Sequence, residues 1–163
     1  KKLKKKYDLI VDIQGDEPLV SPYHINDVVN YHLKNLDSDI ILPILKAKNK
    51  NNTNIIKVVT DKKNKVLYLS RANIPFEFKR SNNYMDKHLS IISFKPDALI
   101  KFSKHKKTRL ESIEDIELLR ALEIGLTIKT IKLDGDSFSV DIFEDYTRAS
   151  KKMSKDKFFK LYK

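Results

Sequence analysis

The sequence predicts an α/β protein in which a mostly parallel β-sheet is flanked by helices. Residues 7–13 are nearly all apolar or β-branched, which is typical of a strand buried on both faces. Residues 23–35 then repeat apolar side chains at helical spacing, and residues 39–45 form a second apolar run. Because a strand, a helix and a strand follow one another, we expect a right-handed crossover between two parallel strands.

The remaining patterns extend the sheet and its helical layer. Alternating runs at residues 55–60 and 65–69, separated by a polar turn, predict a β-hairpin. The apolar run at 87–94 predicts another buried strand. Further elements are predicted as helices at 97–103 and at 108–125 with Gly125 as C-cap, a strand at 126–133, and a helix ending near residue 153.

The composition indicates a single globular domain over residues 1–163, long enough to bury a core. The sequence has no cysteine, which excludes a disulfide framework, a zinc–thiolate site and a thiol nucleophile and fits a cytoplasmic protein. No apolar run approaches the roughly 18 residues of a transmembrane helix.

The net charge of +11 attracts anions in general. Because the lysines are scattered through polar turns, we expect neither a nucleic-acid nor a membrane partner.

The first candidate site follows the first strand. There the apolar run stops at Gln14-Gly15-Asp16-Glu17-Pro18. Carboxylates at the carboxyl end of a strand can hold a hard cation against a phosphate chain, and ligands of open α/β sheets bind at that edge. The alternative is that the two acids form a solvated turn with the proline.

This stretch resembles the signature of the 3-deoxy-manno-octulosonate (Kdo) cytidylyltransferases. Segments 70–76, 87–94 and 110–125 resemble the same family in the same order, and 139–145 resembles its Gly-Val-Asp-Thr-Pro-Glu-Asp without the Thr-Pro. The resemblance implies a Rossmann-like nucleotidyltransferase fold of the glycosyltransferase-A type, with a β-hairpin insertion. It also implies transfer of a cytidylyl group from CTP to Kdo for lipopolysaccharide biosynthesis, in a cytoplasmic homodimer built through residues 70–94.

The resemblance further assigns roles to individual residues. It implies that Asp16 and Asp141 are catalytic and bind Mg²⁺, and that four side chains orient the sugar, namely Gln14, Arg71, His88 and Glu117. The residues themselves also permit structural roles. An arginine after a strand can form a surface ion pair, a histidine before a strand is often structural, and acids spaced along a helix form salt bridges. Asp141 and Glu144 have the spacing of a capping box.

Two positions depart from the family. Ile92 stands where a substrate-contacting tyrosine is expected four residues after His88, and Leu118 stands where glutamine usually follows the glutamate. Both changes remove a polar contact from the sugar pocket. The sequence therefore leaves an amino-substituted Kdo, or another acidic 2-keto sugar, open as the substrate.

The beginning of the chain predicts that the domain is incomplete at its amino terminus. The sequence starts without Met and contains three glycines, none of them in a Gly-rich phosphate-binding turn. We therefore expect the nucleotide-binding residues to lie upstream and residues 1–163 alone to be inactive. Other hypotheses are an acylneuraminate-type cytidylyltransferase, a basic α/β module that binds nucleic acid, and a family-derived scaffold without activity.

Overall fold

A computed structural model describes residues 7–48, 51–80, 82 and 84–162. Within these residues, seven strands form one sheet and helices pack on both of its faces. The strands are β1 (Ile10–Ile13), β2 (Ile40–Ala47), β3 (Lys57–Thr60), β4 (Val66–Ser70), β5 (Met85–His88), β6 (Ile91–Phe94) and β7 (Ile128–Lys132). The helices are α1 (Pro22–Lys34), α2 (Pro96–Lys104), α3 (Arg109–Glu114), α4 (Glu117–Glu123) and α5 (Phe143–Met153), followed by a 3₁₀ turn at Phe159–Tyr162.

Strand β2 lies at the centre of the sheet and is buried on both faces, as its apolar run predicts. Ile40, Leu42 and Ile44 face the layer formed by α2, α3 and α4. Ile41 and Leu45 face α1 on the other side. Because side chains alternate along a strand, one continuous apolar run supplies both halves of the core.

The prediction of a mostly parallel sheet is wrong. β2 pairs in parallel with β7, whereas the other pairings among the described strands are antiparallel. β6 lies between β1 and β2 and runs against both of them. The two strands of the β-α-β unit therefore run in the same direction without being neighbours. The predicted hairpin is confirmed, since β3 and β4 pair antiparallel.

β1 is also less buried than its apolar sequence predicts. Among the described strands it pairs with β6 alone, so it forms an edge. Ile10 and Val11 are half-buried, and Ile13 is 44% exposed. The prediction that this strand is buried on both faces is therefore wrong.

The helix predicted at residues 108–125 is two helices. At the start of α3, Oε2 of Glu111 accepts from the backbone N–H of Thr108 over 3.1 Å, which is one half of the predicted capping box, while the Thr108 hydroxyl has no hydrogen-bond partner in the described structure. Asp115 then adopts the left-handed conformation, with φ of 53° and ψ of 47°, and ends α3. Ile116 is buried at the break, and α4 begins at the next residue. Gly125, with φ of 78°, follows the end of α4, where a residue without a side chain is favoured.

No helix in the described ranges is both long and apolar enough to span a bilayer.

Candidate active site

A cavity of about 1120 Å³ opens beside the end of β1. Its walls come from β1 and the turn after it, the loop before β3, the start of α4 and the segment before α5. All the residues to which the sequence assigns site roles line this cavity, namely Gln14, Asp16, Arg71, His88, Glu117 and Asp141. The fold thus brings together residues from distant parts of the chain.

The turn that carries Asp16 lies directly against the segment that carries Asp141. The backbone N–H of Val140 donates to the carbonyl oxygen of Asp16 over 2.8 Å. Both aspartates are exposed on the cavity side, and the Ser139 hydroxyl donates to Oδ2 of Asp141 over 2.9 Å. This backbone contact places the two carboxylate-bearing segments at one end of the cavity.

The capping-box role proposed for Asp141 and Glu144 is wrong. Helix α5 begins at Phe143, its N-cap is Ile142, and no side chain caps it there. The Asp145 carboxylate in the first turn accepts a long hydrogen bond of 3.4 Å through Oδ2 from the backbone N–H of Asp141, which precedes the N-cap. The Asp141 carboxylate is therefore not used to cap the helix.

Glu17 does not belong to a solvated turn, because only 6% of it is exposed. Its Oε1 accepts from the backbone N–H and the hydroxyl of Ser90, over 3.2 and 2.8 Å, and its Oε2 accepts from the hydroxyl of Ser137 over 2.7 Å. Asp16, by contrast, is exposed as a turn residue would be. Glu17 therefore links the turn after β1 to the connection between β5 and β6 and to the segment before Asp141.

Lys87 is a cavity residue that the sequence did not single out. Its ammonium donates to the carbonyl oxygen of Ser137, and burial lowers its pKa while Glu17 and Asp136 oppose that shift. Nothing in the local sequence indicates that this lysine lies near Glu17, because Lys87 belongs to β5 and the two residues are far apart in the chain.

The Arg71 guanidinium contacts two backbone segments at the rim of the cavity, the loop before β3 and the break between α3 and α4. Its Nε donates to the carbonyl of Glu114 over 2.9 Å, Nη1 to that of Thr53 over 3.1 Å, and Nη2 to that of Asp115 over 3.2 Å. These partners are carbonyl oxygens, so the surface ion pair considered for this arginine does not describe its contacts. A guanidinium has five N–H donors, and donors therefore remain for a ligand carboxylate.

His88 ends β5 and lines the cavity. Burial, together with the nearby Lys87 ammonium, lowers the pKa of His88 to about 4. Its Nε2 is buried without a hydrogen-bond partner in the described structure. The imidazole is therefore neutral near pH 7 and can exchange a hydrogen bond with a ligand.

A second buried histidine, His32, contacts the Ser93 hydroxyl through Nδ1 over 2.8 Å and the Ser38 carbonyl through Nε2 over 3.3 Å. Burial lowers its pKa.

The buried histidines predict a loss of stability in mild acid. The unfolded chain has ordinary histidine pKa values near 6.5 and binds protons first, so the free energy of unfolding falls as the pH drops below about 6.5. Each histidine contributes a slope of up to about 1.4 kcal/mol per pH unit. For His88 this continues to about pH 4, where the folded state also binds the proton. Urea unfolding between pH 7.5 and pH 4.5 measures the slope.

We expect a His88→Asn variant to show a shallower dependence of the unfolding free energy on pH than the original chain. A matched His105→Asn variant changes an exposed imidazole and should leave the slope as it is. Equal slopes in the original chain and in His88→Asn would contradict the assignment of a depressed pKa to His88.

Glu117 is exposed at the start of α4, where the break after α3 brings it to the cavity wall. Ile92 and Leu118 line the same cavity and are buried, with 5% and 3% exposed. The two positions that depart from the family therefore belong to the apolar part of this wall.

The residues fit a magnesium ion shared with a ligand. Within the described ranges, no group of three or more His, Cys, Asp or Glu side chains could enclose a metal. Mg²⁺ is commonly held by one or two carboxylates together with substrate phosphates and water. Asp16 and Asp141 are two carboxylates on adjoining segments beside the cavity, and their oxygens are ligands of this kind.

Comparison with known proteins places these observations in a family. Residues 1–131 match the sequence model described as "Cytidylyltransferase". The chain is 38% identical to a 3-deoxy-manno-octulosonate cytidylyltransferase of Fusobacterium nucleatum over 143 residues, which is 86% of this chain and 58% of that protein. It is also 38% identical to one of Thermodesulfovibrio yellowstonii, over 88% of this chain and 59% of that protein.

A solved structure shows the same fold. A CMP:2-keto-3-deoxy-manno-octonic acid synthetase complexed with CTP superposes with a TM-score of 0.86 at 22% identity, over 93% of this chain and 64% of that one. The chain thus spans a little under two thirds of the length of these proteins. Because the sequence model covers most of its residues, the chain belongs to the cytidylyltransferase family.

Proposed function

We propose that the whole protein containing residues 1–163 transfers a cytidylyl group from CTP to an acidic 2-keto sugar of the Kdo type, in the cytoplasm and for lipopolysaccharide biosynthesis. The anomeric hydroxyl of the sugar attacks the α-phosphorus of CTP, the bond to the bridging oxygen breaks, and pyrophosphate leaves as the hydroxyl proton passes to solvent. The observation that carries this proposal is the hydrogen bond joining the Asp16 turn to the Asp141 segment beside the cavity.

In this proposal Asp16 and Asp141 hold Mg²⁺. When bound, the ion supplies Lewis-acid chemistry that offsets negative charge on phosphate oxygens. The value of the remaining site residues lies in aligning the attacking hydroxyl. Neutral His88 exchanges a hydrogen bond with the sugar, and the donors that remain on Arg71 suit the sugar carboxylate. Gln14 and Glu117 complete this set on the cavity wall.

The apolar wall formed with Ile92 and Leu118 makes the identity of the sugar an experimental question. The test is release of pyrophosphate and formation of CMP-sugar by the whole protein with CTP, Mg²⁺ and one sugar at a time. Kdo, an amino-substituted Kdo and N-acetylneuraminate are the three sugars to compare. We expect turnover with Kdo or its amino derivative, whereas turnover with N-acetylneuraminate alone would support the acylneuraminate alternative.

Two further outcomes would contradict the proposal. Turnover with none of the sugars, together with no Mg²⁺-dependent effect of CTP on melting, would indicate a scaffold without activity. Binding to DNA or RNA that weakens steeply with salt and is unchanged in an Asp16→Asn variant would indicate a nucleic-acid-binding module.

We also propose that the protein forms a homodimer through residues 70–94. Phe76 and Phe78 support this proposal, because they are 82% and 83% exposed in a single chain, and exposed aromatic residues often mark an interface. We expect the double variant Phe76→Ser/Phe78→Ser to shift the mass measured by light scattering from dimer to monomer. A matched Leu67→Ser variant, also exposed but outside this segment, should leave the mass unchanged. A monomeric original protein would contradict the proposal.

A further inference from the structure

Lys57 is a charged residue in the core of the protein. It lies in β3 and is only 1% exposed. Its ammonium donates to the backbone carbonyl of Asn52 over 2.6 Å and to that of Arg71 over 2.7 Å. Burying an ammonium group costs considerable free energy unless polar partners compensate. Here the compensation comes from carbonyl oxygens of two separate segments.

Both segments form the rim of the cavity. Asn52 belongs to the loop before β3, and Arg71 follows β4, and both residues line the cavity. Arg71 in turn donates to the carbonyl of Thr53 in the same loop and to carbonyls at the break between α3 and α4. The Lys57 ammonium and the Arg71 guanidinium therefore both donate to backbone carbonyls of the loop before β3. Lys57 does so from within the core and Arg71 from the surface.

A second feature links this cluster to the end of α3. The Glu114 carboxylate accepts from the hydroxyl of Ser70 over 2.6 Å and from the backbone N–H of Arg71 over 3.0 Å. Lys57 thus holds the carbonyl side of Arg71 while Glu114 holds its amide side. The backbone on both sides of the arginine is fixed, so its guanidinium leaves the sheet in a defined direction.

An apolar side chain of similar length at this position would fill the volume but would leave the two carbonyls without a donor, which costs stability. The Lys57 ammonium provides hydrogen bonds of defined direction to the loop before β3 and to the backbone of Arg71.

We propose that Lys57 is a positioning residue, which holds the loop at residues 51–55 and Arg71 in the arrangement that receives the acidic sugar. This inference rests on the proposed function. It assigns to Lys57 no contact with the substrate. Lys57 affects sugar binding by holding the Arg71 backbone and the loop at residues 51–55 in place.

The test compares Lys57→Met and the milder Lys57→Gln with the original whole protein, and uses the exposed Lys62→Met as a matched control. In Lys57→Met we expect the KM for the sugar to rise about tenfold while the KM for CTP stays within about twofold. Lys57→Gln keeps a neutral N–H donor group in its shorter side chain, and it should therefore show a smaller rise in the sugar KM than Lys57→Met. A purely structural residue would lower the amount of active protein and leave both KM values unchanged.

Amide hydrogen exchange without substrates supplies a second readout that does not depend on turnover. We expect residues 52–55 to exchange about tenfold faster in Lys57→Met, while amides of β2 keep their protection.

Unchanged exchange in this loop would overturn the proposal, as would an unchanged sugar KM in an active enzyme. Failure of both Lys57 variants to fold would also overturn it, because Lys57 would then serve the stability of the core. If the original protein forms no CMP-sugar, the proposed function fails, and exchange still decides whether Lys57 holds the loop.

Discussion

Replacing Asp16 or Asp141 by asparagine is expected to lower kcat of the whole protein about a hundredfold or more, because a carboxamide loses the charge that a hard divalent cation requires. The two single variants and the double variant should be similarly impaired, since residues that act as one unit are not additive. Steady-state formation of CMP-sugar measures the loss.

A readout independent of turnover is binding of Mn²⁺ in the presence of CTP, followed by water-proton relaxation. Both single variants should bind the ion more weakly than the original protein. Asp27→Asn, which changes an exposed carboxylate on α1, should leave binding and turnover as they were. Full activity in either Asp16→Asn or Asp141→Asn would contradict the two-carboxylate site.

Replacing Glu17 by alanine is expected to lower the free energy of unfolding by roughly 3–5 kcal/mol, since truncation leaves buried hydrogen-bond donors without a partner. The Ser90 and Ser137 hydroxyls and the Ser90 amide all donate to this carboxylate. Loss of Glu17 also removes one of the two carboxylates near the Lys87 ammonium, the other being Asp136. Urea unfolding at pH 7 measures the change.

Glu144→Ala is the matched control, because that glutamate is exposed in the first turn of α5. We expect it to change stability by no more than about 0.5 kcal/mol. Because Glu17 links the segments that carry His88 and Asp141, the Glu17→Ala protein should also lose activity at temperatures where it remains folded. A loss of stability below about 1 kcal/mol would show that the serines find other partners.

Local sequence patterns predicted elements better than they predicted pairing. The apolar run of β2 was assigned correctly because that strand is buried on both faces. The similar run at β1 was assigned correctly as a strand but with the wrong burial, because the order of elements along the chain does not reveal that β1 forms an edge of the described sheet, with β6 between it and β2. Antiparallel pairing of β6 depends on contacts between residues far apart in sequence, which no local period encodes.

The predicted helix at residues 108–125 illustrates the same limit. The sequence predicted its start at Thr108 and its final Gly125, but it did not predict the break at Asp115. A left-handed aspartate is uncommon and is stabilised here by tertiary contacts, including the guanidinium of Arg71 on its carbonyl oxygen. The break matters for the site, since it brings Glu117 to the cavity.

The sequence by itself determined the α/β class, the family and six of the residues that line the cavity, because these follow from residue types in short contiguous stretches. Only the tertiary structure decided that Glu17 is a buried carboxylate that links two segments by hydrogen bonds. The same holds for the finding that Asp141 does not cap a helix, and for the contact of Lys57 with two carbonyls. The physical reason is that burial and hydrogen-bond partners depend on which distant segments meet. A carboxylate or an ammonium is written the same way in the sequence whether it faces water or the core.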